Sequence, residues 1–249
     1  SDRFFTKWLS LGRNDALTER QRSPFVATGL SLKLVRSTMP DHGSRIARGH
    51  IFRSFSGPGI DPPSLDKEEN SFGWLSQDTE LLPKRVIPAA VLVPLINRGD
   101  GVTILLTQRP RHLKSHPGQV SFPGGKKEPC DETAEDTALR ETEEEIGLPR
   151  EKVNLVGRLG QRTTGSGFKV TPVVGLIEPP IEVVTDPGEV EAVFEVPLRF
   201  FLDHSNEKIE TRLIRGIDHK FYVFHFENLY IWGLTARLLV ALRDVLEFK

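Results

Sequence analysis

Four glutamates lie within five residues of one charged segment, at positions 141 and 143–145. In an α-helix, Glu141, Glu144 and Glu145 would share one face, within an arc of about 100°. Like charges at this spacing destabilise a helix, and near its C-terminal end they also oppose the helix dipole. A hard divalent cation would reverse that balance, because Mg²⁺ and Mn²⁺ prefer carboxylate oxygens and commonly bring a phosphate-bearing substrate. The cluster therefore indicates metal-assisted phosphate chemistry, with a solvated helix face as the alternative.

The residues around the cluster define the helix that would carry it. The pattern predicts a helix over about 132–146. Asp131 or Glu132 suits its N-terminus, where a carboxylate complements free N–H groups, and Gly147 suits its end. Arg140 directly precedes the cluster and can orient one carboxylate through a bidentate pair.

A basic stretch precedes the Gly-Gly turn at 124–125. It contains three cations and two histidines, which are Arg109, Arg111, Lys114, His112 and His116. Substrates with several phosphates need several cations near the metal, so this stretch is a candidate phosphate-binding loop. For Arg111 and Lys114, a solvated basic loop without ligand contact is the open alternative. Neither histidine has a cysteine partner or a third histidine nearby, so zinc binding is not expected.

The flanking sequence predicts an α/β domain. Apolar runs predict strands, and the period of the closing segment predicts an amphipathic helix. A mixed sheet held between helical layers follows from this order of elements. The predicted strands are 87–96, 102–108, 151–159, 168–178 and 219–227, and the closing helix is 233–248.

Residues 1–85 differ in character from the rest of the chain. Positions 1–53 hold ten Lys and Arg against four Asp and Glu, and 56–70 is rich in Gly, Pro and Ser. We therefore expect an N-terminal extension over 1–85, with a linker near 56–70, and a catalytic domain over 86–249.

Composition narrows the functional class. There are 33 Lys and Arg against 34 Asp and Glu, so net charge gives no reason to expect nucleic-acid binding. One cysteine excludes a disulfide framework and favours a reducing compartment, and no apolar run is long enough to span a membrane. We expect a cytoplasmic protein. Organelle targeting stays open, because the chain opens on Ser1 and its only methionine is Met39.

The glutamate cluster and its surroundings resemble the Nudix box, G-x5-E-x7-R-E-U-x-E-E-x-G-U, where U is aliphatic. The matching residues are Glu132, Arg140, Glu141, Glu144, Glu145, Gly147 and Leu148. Thr142 departs from the pattern at an aliphatic position. Six residues, not five, separate Gly125 from Glu132, and the shorter count would fit Asp131.

The resemblance implies a Nudix-type mixed sheet between helices and a hydrolase that cleaves a nucleoside diphosphate linked to another moiety. It implies Mg²⁺ or Mn²⁺ as cofactor, with Glu141, Glu144, Glu145 and the Gly125 carbonyl as metal ligands. Arg140 joins these glutamates as a catalytic residue. A late acidic residue, Glu189 in preference to Glu191, is expected to complete the metal site or act as base.

A second stretch, 105–125, resembles the additional signature of coenzyme A pyrophosphatases within that family. The residues that fit it are Leu105, Leu106, Thr107, Arg109, Gly118, Phe122, Pro123, Gly124 and Gly125. The longer loop and "WGLTA" at 232–236 also resemble that branch. The resemblance implies coenzyme A or acyl-CoA as substrate, bound by Arg109, His116, Gly118, Phe122, Gly124 and Lys126.

Other functions stay open at this point. They are a Nudix hydrolase of another nucleotide, such as ADP-ribose or a dinucleotide, and a Nudix-fold binding module without turnover. Homodimerisation also stays open. The binding module without turnover is disfavoured because Arg140 and the three glutamates Glu141, Glu144 and Glu145 are all present.

Overall fold

The structure is a computed structural model of the chain that describes residues 35–36 (backbone only), 48–55, 86–214 and 217–247. The predicted linker near 56–70, and most of the predicted extension over 1–85, lie outside the described residues. The strands are β1 (Val35–Arg36), β2 (Ile87–Arg98), β3 (Gly101–Gln108), β4 (Val120–Ser121), β5 (Gly124–Lys126), β6 (Val153–Arg158), β7 (Arg162–Thr163), β8 (Phe168–Ile177), β9 (Ala192–Pro197), β10 (Glu207–Ile214), β11 (Ile217–Phe226) and β12 (Leu229–Trp232). The helices are α1 (Arg48–Phe55), α2 (Ala134–Ile146), α3 (Leu198–Leu202) and α4 (Gly233–Glu247).

Nine of the described strands form one mixed sheet with the order β1-β9-β3-β2-β8-β6. The short strands β4, β5 and β7 pair with β3, β2 and β8. Strand β2 runs antiparallel to β3 and parallel to β8, with Ile87 opposite Phe168 and Ile96 opposite Ile177. The centre of this sheet confirms the predicted strands 87–96, 102–108 and 168–178.

The sheet is buried on both faces. On β2, Leu92 and Ile96 pack with Ala138 of α2, whereas Val93 and Leu95 belong to a second cluster that includes Leu239 of α4. Because successive side chains of a strand point to opposite faces, the two helices cover opposite sides of the sheet. The predicted fold, a mixed sheet sandwiched between helices, is therefore confirmed.

A separate three-stranded sheet, with the order β10-β11-β12, lies beside α4. Phe224 of β11 and Ile231 of β12 are fully buried in the cluster that contains α4. Helix α1 joins the same cluster through Ile51. None of the described helices is long and apolar enough to cross a membrane.

Helix α2 begins two residues later than predicted. Its N-cap is Thr133, whose hydroxyl accepts a hydrogen bond from the Asp136 N–H, while the Asp136 carboxylate accepts one from the Thr133 N–H. This reciprocal pair forms a capping box, so neither Asp131 nor Glu132 caps the helix. The predicted end is confirmed, because Gly147 adopts a left-handed conformation with φ 65° and donates its N–H to the Glu143 carbonyl.

Candidate active site

The Gly-Gly turn lies between the sheet and the glutamate face of α2. Strand β5 pairs with β2, which places Gly124 opposite Val91 and Gly125 opposite Ala90. At Gly124, φ is 149°, and a Cβ would overlap the Ala90 carbonyl. At Gly125, a Cβ would overlap the carboxylate of Glu141. Glycine at 125 thus lets a carboxylate of α2 approach the backbone of the turn closely.

Glu145 is the most deeply buried glutamate of the cluster, with 5% of its surface exposed. Burial raises the pKa of Glu145 to about 8, although its Oε2 accepts a hydrogen bond of 3.3 Å from the Gly124 N–H. The charges of Glu189 and Glu141 raise this pKa further, and the positive charge of Arg109 lowers it. Four side chains from three separate parts of the chain therefore interact electrostatically at one place.

Glu141 and Glu144 have different surroundings on the same helix face. Burial raises the pKa of Glu141, against the lowering effect of a hydrogen bond from Arg140, and the charges of Glu144 and Glu189 raise it further. The Glu144 side chain is exposed and pairs with Arg140, with an Nη1–Oε2 distance of 2.9 Å. The face therefore gathers negative charge that a cation would relieve.

Arg140 is held by Asp131 and not by Glu132. Its Nε and Nη2 donate to the two oxygens of Asp131, each at 3.0 Å. Nη2 also lies 3.1 Å from an oxygen of Glu141 and donates to the Lys126 carbonyl at 3.0 Å. Glu132 is exposed, and its backbone carbonyl accepts a hydrogen bond from Lys127. Asp131, the residue that the shorter count from Gly125 fits, is thus the carboxylate that pairs with Arg140.

Thr142, the other departure from the motif, is fully buried. Its hydroxyl donates to the Ala138 carbonyl at 2.6 Å, which satisfies the polar group within the helix. Leu148 is also buried, as an aliphatic residue at that position should be. The threonine is therefore accommodated without changing the helix face that carries the carboxylates.

A loop that we call the strap, residues 183–191, packs on the C-terminal end of α2. The N–H groups of Val184 and Asp186 donate to the carbonyls of Ile146 and Glu145, at 3.0 and 2.9 Å. These bonds satisfy carbonyls that a helix end leaves free. Within the strap, Asp186 accepts the N–H of Glu189 at its carbonyl, at 3.0 Å. The strap thereby fixes the backbone of Glu189 relative to the glutamate cluster.

The basic loop between β3 and β4 is closed by its own backbone. The Arg109 N–H donates to the Gln119 carbonyl at 3.0 Å, and the Gly118 N–H donates to the Arg109 carbonyl at 3.1 Å. Gly118 has φ 70°, which favours glycine. Partial desolvation and the charge of Arg109 lower the pKa of His116, which favours its neutral form.

Two predicted substrate-binding residues are placed differently from the others. Phe122 is 4% exposed and packs in the core with residues of α4, so the contacts that the structure shows for its side chain are packing contacts. Leu105 and Leu106, which belong to the same signature, are also fully buried. Lys126 is exposed, and its ammonium group lies 5.7 Å from the centre of the Phe168 ring, as in a cation–π contact.

The donor chemistry of the site fits a divalent cation. The charge of Glu189 raises the pKa of both Glu141 and Glu145, the charge of Glu141 also raises that of Glu145, and hard cations take such carboxylate oxygens as ligands. No three acidic, histidine or cysteine side chains of the described residues are already arranged as a metal cluster. The carboxylate of Glu144 accepts a hydrogen bond from Arg140, which is one reason that the glutamates do not already form such a cluster.

Sequence reasoning missed two parts of this site. Asp131 was considered as a residue at the helix start and as the match to the shorter count from Gly125, but its pair with Arg140 was not predicted. The strap has no local signal, because its contacts with α2 are made by backbone N–H groups. Asp186 is therefore a positioning residue that only the tertiary structure reveals.

The chain is similar to known proteins of one family. The family model described as NUDIX domain matches residues 86–215. Proteins named "Uncharacterized Nudix hydrolase NudL" from Yersinia pestis (strain Pestoides F) and Yersinia pseudotuberculosis serotype O:1b (strain IP 31758) are each 44% identical over 151 residues, which cover 61% of this chain and 75% of theirs.

Solved structures include an Ap4A hydrolase of C. elegans, in a binary complex, and the Nudix hydrolase RenU of M. smegmatis. Each is 22% identical to this chain and covers 46% of it. The match spans 82% of the Ap4A hydrolase chain with a TM-score of 0.39, and 72% of the RenU chain with a TM-score of 0.40. The family match and the 44% identical relatives show that the chain belongs to the Nudix family, as a hydrolase that acts on phosphorus-containing anhydrides.

Proposed function

We propose that this protein hydrolyses the pyrophosphate bond of coenzyme A or acyl-CoA, giving 3′,5′-ADP and the corresponding 4′-phosphopantetheine. One molecule of water is consumed, and each phosphorus of the cleaved bond leaves as a phosphate monoester. The supporting observation is that the charge of Arg109, within the stretch that resembles coenzyme A pyrophosphatases, acts on the pKa of Glu145. This influence supports placing the basic loop and the carboxylate face in one site, as does the hydrogen bond of 2.8 Å from the Glu191 N–H of the strap to the carbonyl of Gln108, next to Arg109.

Nudix hydrolases generally use divalent metal ions, and in this chain we assign the ligands to the carboxylates of Glu141, Glu144 and Glu145 and to the Gly125 carbonyl. Mg²⁺ or Mn²⁺ held there would neutralise pyrophosphate charge and lower the pKa of the attacking water. Arg140 orients Glu141 and Glu144, since its guanidinium contacts both.

Glu189 is the proposed acceptor of the proton from the attacking water. Its charge acts on both Glu141 and Glu145, and its own side chain is exposed to solvent. A carboxylate at the open side of the cluster can accept a proton without losing a structural partner. Of the two late acidic residues, Glu189 is therefore preferred to Glu191.

The basic loop is the proposed determinant of substrate choice. Coenzyme A carries a 3′-phosphate in addition to its pyrophosphate, and so needs more cations near the metal than ADP-ribose does. Arg109, Arg111 and Lys114 are available for this role. His116, favoured in its neutral form, can accept or donate a hydrogen bond there without adding charge.

A panel of substrates tests the proposal. We expect kcat/KM in Mg²⁺ to be higher for coenzyme A than for dephospho-coenzyme A and ADP-ribose. Arg109→Ala should lower kcat/KM for coenzyme A by about ten- to a hundredfold, as expected for one charge-assisted contact. Lys152→Ala, which removes an exposed cation from the turn after α2, is the matched control and should leave kcat/KM unchanged.

Each alternative predicts a different result. A clear preference for ADP-ribose or a dinucleotide would exclude coenzyme A as the main substrate but retain the metal-dependent hydrolase. Equal rates for coenzyme A and its dephospho form would show that the 3′-phosphate is not read. A non-catalytic module predicts binding without turnover of any substrate in Mg²⁺ or Mn²⁺.

A further inference from the structure

Strand β10 is an edge of the three-stranded sheet. Within the described ranges it pairs only with β11, from Glu207 opposite Phe224 to Ile214 opposite Ile217. In an antiparallel pair, every second residue directs its N–H and C=O groups away from the neighbouring strand. An eight-residue edge strand of this kind is a template on which another strand can pair. Natural proteins usually shorten such an edge strand, place charged residues on it or cover it.

The side chains of β10 add an apolar strip to this edge. Ile209 and Leu213 are 48% and 71% exposed, so both leave apolar surface in water beside the unpaired backbone of the edge. They share one face of the strand with Thr211, because side chains alternate between faces. Glu210 and Arg212 lie on the opposite face.

We propose that a second copy of this chain adds its β10 to this edge, antiparallel, about a two-fold axis through Thr211. This register places Ile209 opposite the partner's Leu213, and the symmetry repeats the pair. On the other face it places Glu210 opposite the partner's Arg212, again twice. Opposite charges and apolar pairs directly across an antiparallel ladder are the favourable combinations.

Other symmetric registers are less favourable. A two-fold axis normal to the sheet pairs only residues on the same face, so the alternatives are centred on neighbouring residues of the strand. Centring on Glu210 places that residue opposite its own copy and Lys208 opposite Arg212. Centring on Arg212 places two arginines together. Centring on Ile209 leaves Leu213 opposite the partner's Ser205, outside the strand.

In the proposed dimer, Glu210 and Arg212 help to select the register but supply little of the contact between the two copies. The Tyr230 hydroxyl donates to Glu210 at 2.7 Å, and the Arg212 guanidinium lies 4.7 Å from the centre of the Trp232 ring. Both side chains therefore lean over their own sheet, away from the edge. The contact is carried by the backbone ladder and by Ile209 against the partner's Leu213.

Sedimentation velocity over a wide range of protein concentration tests this dimer. The wild-type protein should show a monomer–dimer equilibrium. Ile209→Lys/Leu213→Lys should raise its dissociation constant by at least about tenfold, since the symmetry doubles each altered pair. Leu155→Lys, at an exposed leucine of the other described sheet, is the matched control and should leave the equilibrium unchanged.

A mixing experiment tests the register. Ile209→Glu/Leu213→Glu should also fail to self-associate, but an equimolar mixture with the lysine variant should form a heterodimer, because opposite charges then face each other at 209 and 213. A wild-type protein that stays monomeric, as it would if its own chain covered β10, overturns the proposal. So does a dimer that survives the lysine changes. If the lysine variant no longer dimerises and the mixture of the two variants does not form a heterodimer, this register is excluded.

Discussion

The guanidinium of Arg140 and the carboxylate of Asp131 form a bidentate pair, with Nε–Oδ1 and Nη2–Oδ2 distances of 3.0 Å. Asp131 also accepts hydrogen bonds from the Thr137 hydroxyl and the Glu128 N–H, at 3.0 and 2.8 Å. Its side chain is only 3% exposed. The carboxylate is thus almost fully hydrogen-bonded, and it fixes the arginine that contacts two glutamates of the cluster.

Asp131→Asn should therefore destabilise the protein and impair turnover together. Asparagine removes the negative charge that faces Arg140 and one of the two acceptor oxygens, whereas Arg140 retains its contacts with Glu141 and Glu144, so the free energy of unfolding should fall by about 1–3 kcal/mol. Glu132→Gln is the matched control, because Glu132 is the adjacent exposed carboxylate and should change stability by less than about 0.5 kcal/mol. Urea denaturation of the three proteins measures both values. A larger effect at Glu132 would contradict the assignment of Asp131.

The pair of Arg140 and Asp131 also makes the free energy of unfolding depend on pH in the acidic range. The hydrogen bond from Arg140 is the main reason that the pKa of Asp131 lies well below its ordinary value of 3.8. A carboxylate with a depressed folded pKa contributes stability above its unfolded pKa, and this contribution is lost as pH falls below 3.8. Asp131→Asn should therefore show a shallower loss of stability below pH 4 than wild type, measured by urea denaturation at successive pH values. Parallel curves would show that another group is responsible.

The elements that sequence could predict are those whose local pattern and tertiary environment agree. Strands β2 and β8 are continuous apolar runs that are buried on both faces, and α4 has a helical period, so each was predicted close to its bounds. Strand β10 was missed because charged residues interrupt its sequence, and the ladder with β11 defines it instead.

In the site, too, some features follow from local sequence and others depend on the tertiary structure. The glutamate face of α2 follows from spacing alone, whereas the partner of Arg140 depends on the path of a loop that is one residue longer than the motif. Phe122 was predicted to bind substrate because it belongs to a signature, but that residue packs in the core. Resemblance identified the residues of the signature, and the structure shows which of them pack in the core.

Glu145→Gln should stabilise the metal-free protein while abolishing turnover. Because the folded pKa of about 8 lies above the ordinary 4.5, ionising Glu145 opposes folding at high pH and the penalty disappears as pH falls through this range. At pH 9 in a chelator, the variant should be more stable than wild type by on the order of 1–2 kcal/mol. Thermal unfolding with and without Mg²⁺ measures this. Wild type should gain more from Mg²⁺ than the variant, and equal gains would remove Glu145 from the metal site.

Glu189→Gln and Glu191→Gln separate the two late acidic residues. If Glu189 accepts a proton from the attacking water, its amide variant should lose about a hundredfold in kcat and the acidic limb of the pH–rate profile. Glu191→Gln has the same change in charge two residues away and should retain kcat. Both residues are exposed, so neither change should alter thermal stability appreciably. Similar kcat values for the two variants would leave Glu189 without a catalytic role.

Gly125→Ala tests the close approach of the turn to α2. A Cβ at 125 would overlap the Glu141 carboxylate, so the side chain of Glu141 must move away from the turn. A displaced metal-binding carboxylate should lower kcat by roughly ten- to a hundredfold. Gly99→Ala is the matched control, because a Cβ there meets nothing within 4 Å. Steady-state kinetics in saturating Mg²⁺, with circular dichroism to verify folding, distinguishes the two. If Gly125→Ala retained full activity, contact between Glu141 and the turn would be unnecessary for catalysis, and the Gly125 carbonyl would lose its support as a metal ligand.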